Sequence, residues 1–411
     1  MNPAPPPASA PPAPHPYHDF AAKLRQPDTR PLVLDYLRWR RAARAAETAG
    51  RPAPPFPDIG PLSVNLDLTT ACNYACDHCI DWESLNSPAR HEEKLLRESM
   101  RELARRGLRS VILIGGGEPT VYPGFEDMLR YLKELRLQVA VVSNGGRNER
   151  IAAAADCLEE GDWVRLSLDA GSDATFQAMH RPKRPITLDQ ICTSAGAIKR
   201  RNPALTLGFS FVIVWRGARR DDVALVENVH EMALAAHRAR AAGFDYISFK
   251  PCLARAADGA EVLDPHGLDS ARLRAGLEAA RAHQGGGFRV IESLNLRVLL
   301  DGSWRRYTDQ PRECHMQALR QVLSPLGVYN CPAHRGVARA RVGDPEAWAR
   351  GGTAAAAGTQ RLVREFDAHR ECAQVTCLYN PVNRYLEELV SGGGDLEAAL
   401  EQAGGLGDSF L

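Results

Sequence analysis

The sequence predicts an α/β protein: a partial, TIM-like (β/α)6 barrel followed by a small, cysteine-bearing C-terminal domain. Three observations carry that expectation. Short β-rich runs alternate with helical stretches from Ser63 to Pro251, polar and glycine-rich residues gather just behind the runs, and the alternation stops after Pro251. Strand-then-helix alternation demands right-handed crossovers, and these build a parallel sheet with helices outside it.

Taken in order, residues 1–16 are Pro/Ala-rich and read as a disordered tail. A helical pattern runs from Tyr17 to about Ala49, and the Pro-rich "RPAPPFPDIGP" closes an N-terminal extension over 1–62. The strand candidates are then "SVNLDLT", "SVILIG", "QVAVVSN", "WVRLSLD", "LGFSFVIV" and "YISFKP". Between them stand helical segments such as "HEEKLLRESMRELARRG", "GFEDMLRYLKEL" and "DVALVENVHEMALAAHRARAAG". The paired charges of the first mark a solvated face. Six such units over 63–251 fall short of the eight that close a barrel, so the barrel is expected to stay open. Residues 252–310 read as a helical linker and 311–411 as a C-terminal domain, with a hairpin at "QVLSPLGVYNC".

Composition narrows the function. The chain has 411 residues, is 44% hydrophobic and carries a formal net charge of +1. There is no basic field for nucleic acid, and no apolar run approaches membrane-spanning length. The N-terminal stretch lacks the basic and apolar regions of a signal peptide, so a cytoplasmic location is expected. Ten cysteines there are better explained by metal or redox chemistry than by disulfides.

"LTTACNYACDHCID" places Cys72, Cys76 and Cys79 in a CxxxCxxC pattern just after the first strand. Three thiols in one polar loop are not a core stripe. A structural zinc site closes with four ligands, and so does a four-iron cluster held wholly by protein. Three thiolates leave one metal position open, which is what catalysis at a metal requires. "GGGEPT" follows the second strand, "SNGG" the third, and Ser167 and Asp169 end the fourth. In parallel sheets the carboxyl ends of the strands form the active face, so these segments converge on one mouth. The glycine run lacks the GxGxxG spacing of a dinucleotide site, and no GK[ST] phosphate loop is present.

Over 63–251 this combination resembles the radical S-adenosylmethionine (SAM) superfamily, with His78 as the aromatic residue before the last cysteine. The resemblance implies that Cys72, Cys76 and Cys79 hold a 4Fe–4S cluster whose open iron chelates the amino and carboxylate groups of SAM. One-electron reduction then yields a 5′-deoxyadenosyl radical that abstracts a substrate hydrogen atom. Gly116, Gly117 and Glu118 match the element that contacts the methionine amino group. Ser143, Asn144, Ser167 and Asp169 match positions that contact ribose or carboxylate, although a turn or cap role explains them as well. Cys314, Cys331, Cys372 and Cys377 look like a twitch-type half of a SPASM domain, which implies a second, auxiliary 4Fe–4S cluster; a zinc clip is the alternative. Cys157 and Cys192 read as core fillers. Cys252, behind the sixth strand, is a candidate hydrogen-atom donor or a small apolar filler. The expected activity is an oxidoreductase acting on a small polar metabolite (sugar, aminocyclitol or nucleoside), with dehydrogenation preferred. Epimerisation, dehydration or modification of a ribosomal peptide are the alternatives. The expected partners are that small molecule and an electron donor such as flavodoxin or ferredoxin.

Overall fold

The computed structural model describes residues 19–411 except Asp222 and Gln402, so the Pro/Ala-rich stretch 1–16 lies outside the described residues. Ten strands form one sheet: β1 Ser63–Leu66, β2 Ser110–Leu113, β3 Gln138–Ser143, β4 Trp163–Ser167, β5 Thr206–Ile213, β6 Tyr246–Pro251, β7 Arg289–Glu292, β8 Arg320–Ser324, β9 Gly327–Tyr329 and β10 Arg341–Gly343. Their spatial order is β7-β6-β5-β4-β3-β2-β1-β8-β9-β10. Every pairing from β7 through to β8 is parallel, and β8, β9 and β10 then run antiparallel. The two end strands do not pair with each other, so the sheet remains an open, partial barrel.

Alternation explains the curvature and the core. Val64, Leu66, Val111, Leu113, Val139, Val141, Val164 and Leu166 are sealed in the main apolar core beneath the outer helices. With a period of two, the intervening residues face the other way. These include Asn65, Arg165, Ser167, Ser210, Ser248 and Lys250, so the concave face is polar apart from Ile112, Ala140 and Val142.

The structure departs from the sequence reading in two places. The segment read as one helix over 222–243 holds its helix only at Met232–Ala241, behind a two-residue ribbon pairing Arg219–Arg220 with Val223–Ala224. The cause is Asn228. Its side chain accepts from the Val214 amide (2.8 Å) and donates to the Asp169 and Val212 carbonyls (2.7 and 2.8 Å), which holds the chain to the strand ends. The stretch 252–310 likewise contains more than helix, since β7 extends the sheet in parallel with β6.

The hairpin at "QVLSPLGVYNC" forms as β8 and β9, and β8 docks in parallel along β1 (Ser63 opposite Arg320). A second apolar core joins the two ends of the chain. The helix Arg30–Thr48 buries Val33, Tyr36, Leu37 and Ala43 against Val382, Leu386 and Leu389 of the helix Asn380–Ser391. Beside it, Arg40 and Arg44 both bind Glu313, and His315 bridges Tyr36 and Glu387. At the amino ends of the strands, Phe410 packs on Ile112, Ala140 and Trp163, and Gln138 and Ser110 grip the backbone of Gly407 and Ser409.

Candidate functional site

The loop after β1 carries Cys72, Cys76 and Cys79, all unpaired and partly buried. The end of the helix Asp173–His180 holds it in place. The Ala75 amide donates to the His180 carbonyl (3.2 Å), that of Asp77 to Met179 (3.4 Å) and that of Lys183 to Asn73 (3.0 Å). The Lys183 ammonium reaches the Cys72 carbonyl (2.7 Å), and Cys76 Sγ lies 3.3 Å from His180 Nδ1. Burial pushes all three thiols up, Cys79 to about 12, and neighbouring thiols push Cys76 and Cys79 further. Thiols that raise one another in this way repel as thiolates, so a polycation that takes all three at once relieves the repulsion. The donor set therefore fits an iron–sulfur cluster with one iron left open.

The glycine turn sits against this loop. Gly115 and Gly116 both have positive φ (81° and 63°). A Cβ on Gly117 would lie 2.5 Å from the Ala71 carbonyl oxygen and 2.6 Å from that of Thr69, so only glycine permits the approach. The Glu118 amide donates to the Ala71 carbonyl (2.9 Å), and the Gly116 amide to Asp81 Oδ2 (3.2 Å). The carbonyls of Gly116 and Gly117 accept nothing from the described residues and remain free for a ligand's ammonium group.

Glu118 is also engaged within the protein. Its buried carboxylate accepts from Thr120 Oγ1 (2.6 Å), Ser143 Oγ (2.8 Å) and the Asn144 amide (2.8 Å), so it latches the glycine turn to the end of β3. Burial pushes this carboxyl up against those hydrogen bonds. Ser143 is spent on the same latch, and Asn144 Nδ2 turns to Asn73 Oδ1 (2.8 Å) and towards Cys72 Sγ (4.0 Å).

Asp169 adopts φ 52° beyond β4 and organises the opposite wall. Its carboxylate receives His78 Nε2 (3.0 Å), His180 Nε2 (3.3 Å) and the Val212 amide (2.6 Å). Burial would raise this carboxyl, but the hydrogen bonds from His180 and His78 hold it well below the usual carboxylate range. His78 is thus anchored by Asp169. Ser167 ends β4 on the concave face.

The four C-terminal cysteines meet as well. Cys314, Cys331, Cys372 and Cys377 line one cavity of about 170 Å³, together with Arg320, His334 and Thr376. Burial pushes each thiol up, Cys314 to about 12. His334 Nε2 lies 3.3 Å from Cys372 Sγ, while Arg320 Nε and Thr376 Oγ1 have no hydrogen-bond partner among the described residues. Four thiols with unpaired donors around a common void fit a second iron–sulfur cluster fully ligated by protein. Cys252 stands apart from both thiol sites, buried in the main apolar core with a thiol pushed up to about 12 by burial. Cys192 is buried in that core and Cys157 packs against it. Sequence reasoning missed His180, Asn73, Asp81 and Arg335. Asn73 and Asp81 lie inside the cysteine stretch, but their partners, like those of His180 and Arg335, come from distant parts of the chain.

Residues 66–227 match the sequence profile of the Radical SAM superfamily. Over 116 residues the chain is 34% identical to Mycofactocin maturase MftC of Mycobacterium ulcerans, covering 27% of this chain and 30% of that protein. It is 31% identical over 114 residues to an S-adenosylmethionine-dependent nucleotide dehydratase of Thermoplasmatales archaeon (strain ISO4-H5), covering 27% and 39%. Bacillus subtilis YydG, named for peptide biosynthesis, is 32% identical over 84 residues, covering 20% and 26%. The chain thus spans less than two fifths of each of these relatives. Among solved structures, native anSMEcpe with bound AdoMet and Kp18Cys peptide superposes with a TM-score of 0.50 at 12% identity, covering 79% of this chain and 88% of that one. That likeness concerns the fold alone.

Proposed function

We propose that this chain, whose residues 66–227 match the Radical SAM superfamily, is a radical SAM enzyme that carries two clusters and modifies a peptide. The observation that carries the reading is the convergence of three unpaired thiols, the glycine turn and the Asp169-anchored His78 at the carboxyl ends of the strands. A 4Fe–4S cluster on Cys72, Cys76 and Cys79, with SAM on its open iron, supplies a 5′-deoxyadenosyl radical. Around it, the Gly116 and Gly117 carbonyls orient the methionine ammonium. Glu118 fixes the glycine turn to β3, and Asn144 braces Asn73 in the cysteine loop. Ser167 and the polar concave face take ribose and substrate. Cys314, Cys331, Cys372 and Cys377 hold the second cluster.

The peptide substrate replaces the small metabolite expected from sequence. Its support is the relative named for peptide biosynthesis and the peptide bound in a structure of the same fold. The open side of the barrel leaves room for such a chain. Burial of Cys252 in the apolar core argues against hydrogen return from that thiol and keeps oxidation as the preferred outcome.

One observation favours a second reading, a nucleotide. Lys250, on the concave face of β6, makes no hydrogen bond or ion pair with the described residues, and burial with the nearby Arg165 pushes its pKa well below the usual value. A lysine so placed is driven towards its neutral form, and an anionic substrate beside it would favour the charged form again. The reconstituted enzyme, SAM and dithionite should be offered deuterated peptides encoded beside its gene and, separately, deuterated nucleoside triphosphates. Deuterium in 5′-deoxyadenosine from a peptide is the expected result; transfer from nucleotides alone overturns the peptide reading.

A further inference from the structure

The two thiol sites are joined by one buried side chain. Cys331 opens a short 3-10 turn, Pro332–His334, which delivers Arg335 beneath the barrel loops. Arg335 Nη1 lies 3.0 and 3.1 Å from the two carboxylate oxygens of Asp81, and Nε lies 2.9 Å from Asp67 Oδ2. Asp81 stands two residues beyond Cys79 and accepts the Gly116 amide through Oδ2 (3.2 Å). The guanidinium lies so close under Gly115 that a Cβ there would fall 2.5 Å from it.

We propose that Arg335 is the positioning residue through which the C-terminal thiol cavity sets the shape of the SAM-binding loops. The proposal rests on the two-cluster reading above. Its geometry is a short lever. Cys331 fixes one end of the turn, the His334 and Arg335 amides close it on the Cys331 and Pro332 carbonyls (3.1 and 3.2 Å), and the guanidinium meets Asp81 at the other end. Asp81 in turn holds both the segment behind Cys79 and the Gly116 amide, so a shift of Arg335 moves the cysteine loop and the glycine turn together. The planar fork suits this task, because it binds one carboxylate in two places and still reaches a second. The contact with Asp67 is close but not aligned as a hydrogen bond, so the two-oxygen contact with Asp81 is the one that fixes the guanidinium. Arg255 is the other cation on this segment, donating to the Ile80 carbonyl (2.7 Å), but it stands 3.5 Å from Asp81 and does not enter the glycine turn. When Cys331 is bound in a cluster, the turn is fixed and the loops are set for SAM; when it is free, the lever is loose.

The test is a double-mutant cycle on the reconstituted full chain, reading iron content and SAM affinity by equilibrium binding. Wild type should hold about eight irons, one four-iron cluster per thiol set. Cys331→Ala, which frees the turn from any cluster held by the remaining three thiols, should bind SAM about tenfold more weakly, and Arg335→Gln should retain about eight irons with a similar loss of affinity. The double variant should be no weaker than either single one, since both substitutions cut the same lever. Additive losses, or SAM affinity unchanged in an iron-replete Arg335→Gln protein, overturn the proposal. About four irons in the wild type would instead remove the two-cluster reading. If the Gln variant does not fold, Arg335→Lys, which keeps the charge and loses the fork, takes its place with the same two readings.

Discussion

Gly117 shows how little freedom single positions have here. A methyl group at that position meets two backbone carbonyls at 2.5 and 2.6 Å, and backbone does not yield as a side-chain tip does. Gly117→Ala should therefore displace the glycine turn, cost about 1–3 kcal/mol in thermal unfolding and weaken SAM binding at least about tenfold by calorimetry. Cys76 gives the complementary case. Cys76→Ala should lose about four of about eight irons and all SAM cleavage, while the C-terminal cluster stays. Retained 5′-deoxyadenosine with dithionite would refute the assignment of that loop. His91 provides a pH signature. Its Nε2 donates to the Asp67 carbonyl (3.0 Å), and burial lowers its pKa from 6.5 to about 4. The folded form binds fewer protons than the unfolded one between those values, so its stabilisation is present above pH 6.5 and is lost as pH falls towards 4. The loss is on the order of 3 kcal/mol, and Gln at position 91 should flatten it in denaturant titrations.

Among the elements, local signals carried the reading furthest where a motif lay within one segment. The cysteine loop, the glycine turn and the alternating strands are each continuous in sequence, and their expected positions match the folded ones. The helix expected over 222–243 failed because Asn228 trades helical hydrogen bonds for contacts with strand ends about fifteen to sixty residues away, which no periodicity records. Glu118 was legible as a motif residue but not as a latch, since its partners come from β3. Glu118→Gln weakens those charge-assisted bonds without changing shape. It should cost about 1–3 kcal/mol in unfolding and loosen SAM binding, and Ser143→Ala should add little once the latch is gone. Unchanged SAM affinity in Glu118→Gln would return the side chain to a purely structural role.

Over the whole molecule, the unpredicted part is long-range. Two ends of the chain share one apolar core, the 407–410 segment closes the amino ends of the strands, and Arg335 crosses from one thiol site to the other. Composition and spacing cannot reveal such pairings, because each partner is an ordinary residue in its own neighbourhood. Phe410 offers a direct check. Buried against Ile112, Ala140 and Trp163, it should cost about 3 kcal/mol when cut to alanine, read in thermal unfolding.

The shared core also fixes an order of events during synthesis. The parallel crossovers over 63–251 use contacts between neighbours, so they can form as the ribosome delivers them. The free edge of β1 must wait some 250 residues for β8, and the helix Arg30–Thr48 must wait for the helix Asn380–Ser391. Until the last of these emerges, an apolar helix face and a bare strand edge are both exposed, which is the state that aggregates and that chaperones hold. On the two-cluster proposal, filling of the C-terminal thiol cavity then waits for these late segments. Overexpression that outpaces it should deposit protein with its first thiol loop formed and its second unfilled.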